Sequence, residues 1–223
     1  MFINRKHKFL WIWVPKSAGT FIYNHPRIKD AYPNSCGNHT KFFEIENILL
    51  NTEKETQSHF FKFAFSRNPY DRLVSAYFSF SAAHNFSFDS FEDFLLNNFK
   101  DEHGNYDMSH SQTSRSTYRR YSHFTEKEHH NDHFDTQSSF LKGKSQKISF
   151  DFVGRYENLK NDFDFVCEKL KIPLVENKVF NKTDRKSHDN YKFYYEGPHS
   201  EEKIKIANML YKEDFINFNY TPW

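Results

Sequence analysis

The chain is poor in cysteine, glycine and proline: its 223 residues include two Cys, six Gly and seven Pro. Cys36 and Cys167 are too few for a disulfide framework and lack the spacing of a zinc site, so both are expected as unpaired thiols in a reducing compartment. So little Gly and Pro excludes low-complexity linkers. Long hydrophobic runs are also missing. The apolar stretch near the N-terminus stops at Pro15 and Lys16, too soon for a signal peptide or a membrane span. Charge of one sign is not in excess either: 31 basic against 29 acidic residues leave a net +2, which gives no general affinity for nucleic acid. Any anion site has to be local.

What the chain does have is aromatic residues, 19% of the total, enough for a sizeable core. With no internal repeat and no linker, residues 1–223 read as one domain. The organising stretch is Phe9 to Phe21, FLWIWVPKSAGTF. Phe9 to Val14 is continuously apolar, as in a parallel strand buried on both faces. Pro15 stops the strand, Lys16 brings a cation, Gly19 is expected to let the backbone turn tightly, and Ser17 and Thr20 bring hydroxyls where a helix begins. Backbone N–H groups at such a junction favour an anion. The spacing is not that of a Walker A loop, because Lys16 precedes the only Gly of the loop by three residues.

A second strand-to-helix junction follows. His59 to Ser66 reads as a buried strand, then Arg67, with Asn68 as N-cap and Pro69 as the first helical residue. Ser75 lies about two turns into that helix, where its side chain can lean back toward an anion near Arg67. An ion pair between Arg67 and Asp71 is the plain structural alternative. Phe150 to Gly154 reads as a third strand, and Leu159, Phe163, Val166 and Leu170 mark the clearest amphipathic helix, ended by Pro173. Further helices are expected over Phe21–Ile28, from Thr40 through Leu49, over Phe86–Phe99 capped by Asp89 or Ser90, and from Ser200 as N-cap. Residues 1–8 read only as a basic lead-in. Residues 100–135, polar and rich in His, read as a substrate-side insertion or lid. His129, His130 and His133 have helical spacing for a metal, but no Cys joins them and no metal is expected.

The segments PKSAGT, FKFAFSRNPYDRLVSAYF and DFVGRYENLKNDFDFVCEKLKI resemble the cofactor-binding segments of sulfotransferases that use 3′-phosphoadenosine-5′-phosphosulfate (PAPS), in particular the carbohydrate sulfotransferase branch and its bacterial relatives. The resemblance covers nearly the whole chain. It implies a P-loop-like three-layer α/β fold, with a central, mostly parallel sheet flanked by helices. It also implies roles. Lys16, Ser17, Ala18, Gly19 and Thr20 would bind the 5′-phosphosulfate, Arg67 and Ser75 the 3′-phosphate, and Tyr156, with Arg155 as a further candidate, would lie near the nucleotide. A basic segment, NKTDRKSHDNY, adds Arg185 and Lys186 as cofactor contacts. His39, in HTKFFEI, stands where the family has its proposed general base. Gln137 in DTQSSFL, and His133, would meet the acceptor.

The expected function is therefore transfer of a sulfuryl group from PAPS to a hydroxyl, on a carbohydrate, glycolipid or other small molecule, without a metal. No nucleic-acid partner is expected. Golgi members of that family carry an N-terminal anchor, so its absence points to a cytoplasmic enzyme or to a chain trimmed of one. Two other readings stay open: a P-loop-like phosphotransferase, and an inactive nucleotide-binding protein. A kinase would want an acidic metal ligand ending a neighbouring strand, where this chain has Ser66 and Arg67.

Overall fold

A computed structural model describes residues 2–29, 39–46, 59–84, 88–100, 103–106, 133–174 and 189–223. In chain order its elements are β1 (Phe2–Asn4), β2 (Phe9–Ile12), α1 (Gly19–Tyr23), α2 (Pro26–Lys29), β3 (Phe61–Ser66), α3 (Pro69–His84), α4 (Phe91–Asn97), α5 (Gln137–Leu141), β4 (Phe152–Arg155), α6 (Leu159–Leu170), α7 (Ser200–Leu210) and α8 (Lys212–Asn217). Residues 42–46 are also helical. The chain divides into two compact units, Met1–Arg67 with Gln137–Lys182, and Asn68–Thr136 with Thr183–Trp223.

The first unit is an α/β sheet in the order β1-β2-β3-β4, with β2, β3 and β4 parallel and β1 antiparallel on β2. Its strands are apolar at successive positions because both faces are covered. Phe9, Trp11, Phe63 and Phe65 share one face and pack with Ile22 of α1, Ile28 of α2, and Phe163, Val166, Cys167 and Leu170 of α6. On the opposite face Leu10, Ile12 and Ala64 are equally buried. Phe163 meets Phe21, His25 and Phe65 with its ring, so truncating it to Ala should cost roughly 3–5 kcal/mol.

Several boundaries differ from the sequence reading. The lead-in is strand β1, whose Phe2 stacks on Trp11, and the Asn4 side chain accepts the His7 N–H in the turn that returns the chain. Three residues are too short a run to show period-two patterning, so the strand was invisible. The helix expected over Phe21–Ile28 starts at Gly19 and breaks at Asn24–His25, with Pro26 opening α2, as fits a residue that has no N–H to give. Residues 42–46 begin from Lys41, whose N–H is accepted by Glu44, and Phe43 faces solvent rather than joining Phe42 and Ile45 in the interior. Ile48 and Leu49 lie outside the described residues, as does Cys36.

Cys167 is buried in α6, and burial, reinforced by Asp164, pushes its thiol up to about 12. An unpaired Cys167 acting as a packed apolar residue is what the helix shows.

In the second unit, Asn68 caps α3 by accepting the Tyr70 N–H at 3.0 Å, as its sequence implied. Ser90, one of the two expected caps, caps α4, which begins at Phe91. Arg72 is buried in α3 and donates to the carbonyls of Asp135 (2.7 Å) and His133 (3.3 Å), while the Tyr211 hydroxyl donates to Phe134 O. Tyr70 stacks on Trp223, with ring centroids 4.3 Å apart. The N-cap of α7 is His199, in a left-handed conformation, so Ser200 is already its first residue. KEDFINFNYTPW contains α8, a helix the sequence reading did not mark.

Candidate active site

Parallel strands deliver their following loops to one edge of the sheet, and in open α/β folds that edge takes the ligand. Here β2, β3 and β4 deliver Lys16, Arg67 and Tyr156. Register explains one meeting: Ser66 and Arg155 are paired across β3 and β4, so the next residues, Arg67 and Tyr156, emerge side by side. The Arg67 guanidinium lies 3.9 Å over the Tyr156 ring. Such a stack is worth about 1–2 kcal/mol where it is desolvated, and Arg67 is buried.

The loop after β2 is built differently from the expectation. Gly19 does not supply the turn. Val14 to Ser17 closes one, with the Ser17 N–H reaching back to Val14 O at 3.4 Å, Pro15 in its second position and Lys16 in its third with φ 63°. That is the arrangement of a type II turn, whose third position normally wants Gly. Ala18 is left-handed as well, with φ 67°. Each costs on the order of 1 kcal/mol for an L residue, a local strain of the kind that collects at functional sites. Gly19 is needed for a different reason: a Cβ there would sit 1.6 Å from Nε1 of Trp13. The missing side chain lets the indole lie against the start of α1.

Trp13 is thus a site residue that the sequence reading passed over as strand. Its ring stacks on Trp11 and Tyr23 and takes His39 edge-on, with centroids 5.5 Å apart. The signal was available, since Trp11 and Trp13 stand two apart and share a face. His39 Nδ1 lies 3.3 Å from Trp13 O. A carbonyl only accepts, so in this contact Nδ1 is the donor. His39 is therefore anchored at the end of β2, at the mouth of the Lys16 loop.

The loops are also tied to one another. Arg67 Nη1 donates to Lys16 O at 3.0 Å. Gln137, fully buried at the start of α5, accepts the Ser17 hydroxyl (3.0 Å) and the Arg67 N–H (2.8 Å) on Oε1, and donates from Nε2 to Arg67 O (2.8 Å). Residues 1–221 match the model of the Sulfotransferase family. The chain belongs to the sulfotransferase family. No curated protein and no solved structure matches it significantly.

Family membership carries sulfuryl transfer in general and makes the chain a transferase. In this sulfotransferase Lys16, Ser17, Ala18, Gly19, His39, Arg67, Gln137 and Tyr156 all lie in the first unit, on the connections that leave or meet the parallel strands. The helix after the Lys16 loop, α1, is five residues long, so a summed helix dipole adds little and the loop itself has to provide the anion-binding groups. Arg155 is exposed, and its backbone N–H donates to Asp162. Gln137, read from the sequence as an acceptor contact, sits in the interior, its amide engaged by Ser17 and Arg67. Ser75 is buried in α3, and His133 gives its carbonyl to Arg72, both within the second unit. Arg185, Lys186, His129 and His130 lie outside the described residues. Among the described residues no cluster of three His, Cys, Asp or Glu could hold a metal, and no helix is long and apolar enough to cross a membrane.

Proposed function

We propose that the chain transfers a sulfuryl group from PAPS to an acceptor hydroxyl, with a carbohydrate as the acceptor class. The observation that carries this reading is the bond between the Arg67 guanidinium and the backbone of Lys16. The loops after β2 and β3 are tied together by that bond, which supports one site for an adenosine carrier phosphorylated at its 3′ and 5′ positions. PAPS supplies the activated sulfuryl group.

The residues have separable tasks. Lys16, with the loop N–H groups and Thr20, neutralises the charge that grows on the bridging oxygen as the S–O bond breaks. Arg67 and Ser75 bind the 3′-phosphate, which distinguishes PAPS from ATP, and Tyr156 supports the Arg67 plane. His39 accepts the acceptor's proton on Nε2 while the acceptor oxygen bonds to sulfur, and adenosine 3′,5′-bisphosphate leaves. Arg185 and Lys186 add cofactor contacts, and His133 an acceptor contact. The carbohydrate class rests on the sequence resemblance to the carbohydrate branch.

Incubation with 35S-labelled PAPS and glycan fractions tests the reading. Label should move to a glycan in a Lys16-dependent manner. Absence of binding to adenosine 3′,5′-bisphosphate, or transfer of phosphate from ATP instead, would overturn it.

A further inference from the structure

We infer that Gln137 is a positioning residue that couples the two phosphate-gripping loops, so that the Lys16 loop and Arg67 act as one site. The inference rests on the proposed reading of those loops and deepens it. Its basis is the way a single side-chain amide is shared. The Gln137 amide exchanges a pair of hydrogen bonds with the N–H and the C=O of Arg67, both at 2.8 Å, as a neighbouring strand would. It thereby fixes the backbone from which the Arg67 side chain departs, just past the last residue of β3. The same Oε1 also accepts the Ser17 hydroxyl at 3.0 Å, which ties the loop after β2 to the same atom.

Gln137 is fully buried, as is Ser17 to within 2%, and Arg67 is 5% exposed, so these bonds are made away from solvent. Burial makes them consequential, because a buried donor or acceptor that loses its partner finds no water to replace it. Gln137 does so from far along the chain: it lies 70 residues after Arg67 and 120 after Ser17. A change of Gln137 acts on ligand binding only through the residues it fixes. Because the Gln137 amide holds both the N–H and the C=O of Arg67, the 3′-phosphate should feel the change more than the rest of the nucleotide.

The test uses Gln137→Glu, which keeps the acceptor for Ser17 and the Arg67 N–H but faces Arg67 O with an oxygen where a donor stood. Affinities for adenosine 3′,5′-bisphosphate and for 5′-AMP are measured from pH 5 to pH 9. At pH 8 the variant should bind the bisphosphate at least 10-fold more weakly than the parent protein, with a smaller loss for AMP. As pH falls the carboxyl takes up a proton, its O–H replaces the lost donor, and the variant should recover toward the parent protein. Equal losses for both nucleotides, or a loss that does not change with pH, would mean a merely structural residue and would overturn the inference.

A parent protein that fails to bind the bisphosphate at all refutes the functional reading instead, so the two failures are distinguishable. Hydrogen exchange at the Arg67 backbone amide of the unmodified protein covers the case in which the variant does not fold. That amide should be protected, and protected further by the bisphosphate; fast exchange unaffected by the ligand would overturn the coupling.

Discussion

Arg67 Nη1 donates to the backbone carbonyl of Lys16 at 3.0 Å, although 51 residues separate them in the chain. A guanidinium has five donors, so this bond spends one and fixes the direction of the rest of the fork. The cation of one loop is thus aimed by the backbone of the next.

Lys16 separates catalysis from stability. Lys16→Ala keeps an L residue at φ 63°, so thermal stability should stay close to that of the parent protein while transfer falls by about 100-fold or more, as expected when a developing charge loses its partner. Lys16→Gly should be equally inactive yet more stable than Lys16→Ala by about 1 kcal/mol, because Gly adopts the left-handed turn without strain. Equal melting temperatures for the two variants would contradict the strained turn.

Gly19→Ala forces a methyl group to within 1.6 Å of the Trp13 indole. The ring has to move, at a cost of about 1–3 kcal/mol for overpacking, and with it the contact to His39. Denaturant unfolding should show the loss, and Trp13→Leu in the same chain should restore part of it.

Arg67→Ala should weaken adenosine 3′,5′-bisphosphate far more than 5′-AMP, measured by calorimetric titration. Arg67→Lys should recover little of the loss, because an ammonium offers neither the planar fork nor the stack on Tyr156. Parallel losses for both nucleotides would remove the 3′-phosphate assignment.

His39→Ala should slow transfer and leave bisphosphate affinity within a factor of about 3, since a general base contributes to the proton transfer and not to nucleotide binding. Unimpaired turnover would send the search for a base elsewhere.

Cys167 makes stability depend on pH at the alkaline end. Its thiol is pushed up to about 12 in the folded chain, from an ordinary value near 9. Between those values the unfolded chain has lost the proton and the folded chain keeps it, so stability is complete below pH 9 and falls as pH rises toward 12. Cys167→Ala should remove the part of the fall that sets in near pH 9 and leave the part above pH 10, to which Tyr195 and Tyr211, raised by burial, also contribute. The native thiol should resist alkylation at pH 8 until the chain is unfolded.

The parallel strands, and which residues follow them, could be read from residue order alone. The apolar run Phe9–Val14 and the nearly continuous one His59–Ser66 suit a strand covered on both faces, and the Asn68–Pro69 pair marks a helix start through capping that is local to a few residues. Lys16 and Arg67 were read as site candidates because they sit next to such signals, and His39 because of the resemblance. How these pieces meet emerged with the folded chain. The left-handed backbone at Lys16, the gap at Gly19 filled by Trp13, and the sharing of the Gln137 amide between Ser17 and Arg67 are contacts across space. Periodicity reports which side of an element is buried, not which distant residue lies against it. A polar side chain such as Gln137, placed on an apolar helix start, is ambiguous until the fold brings its partners within 3.0 Å.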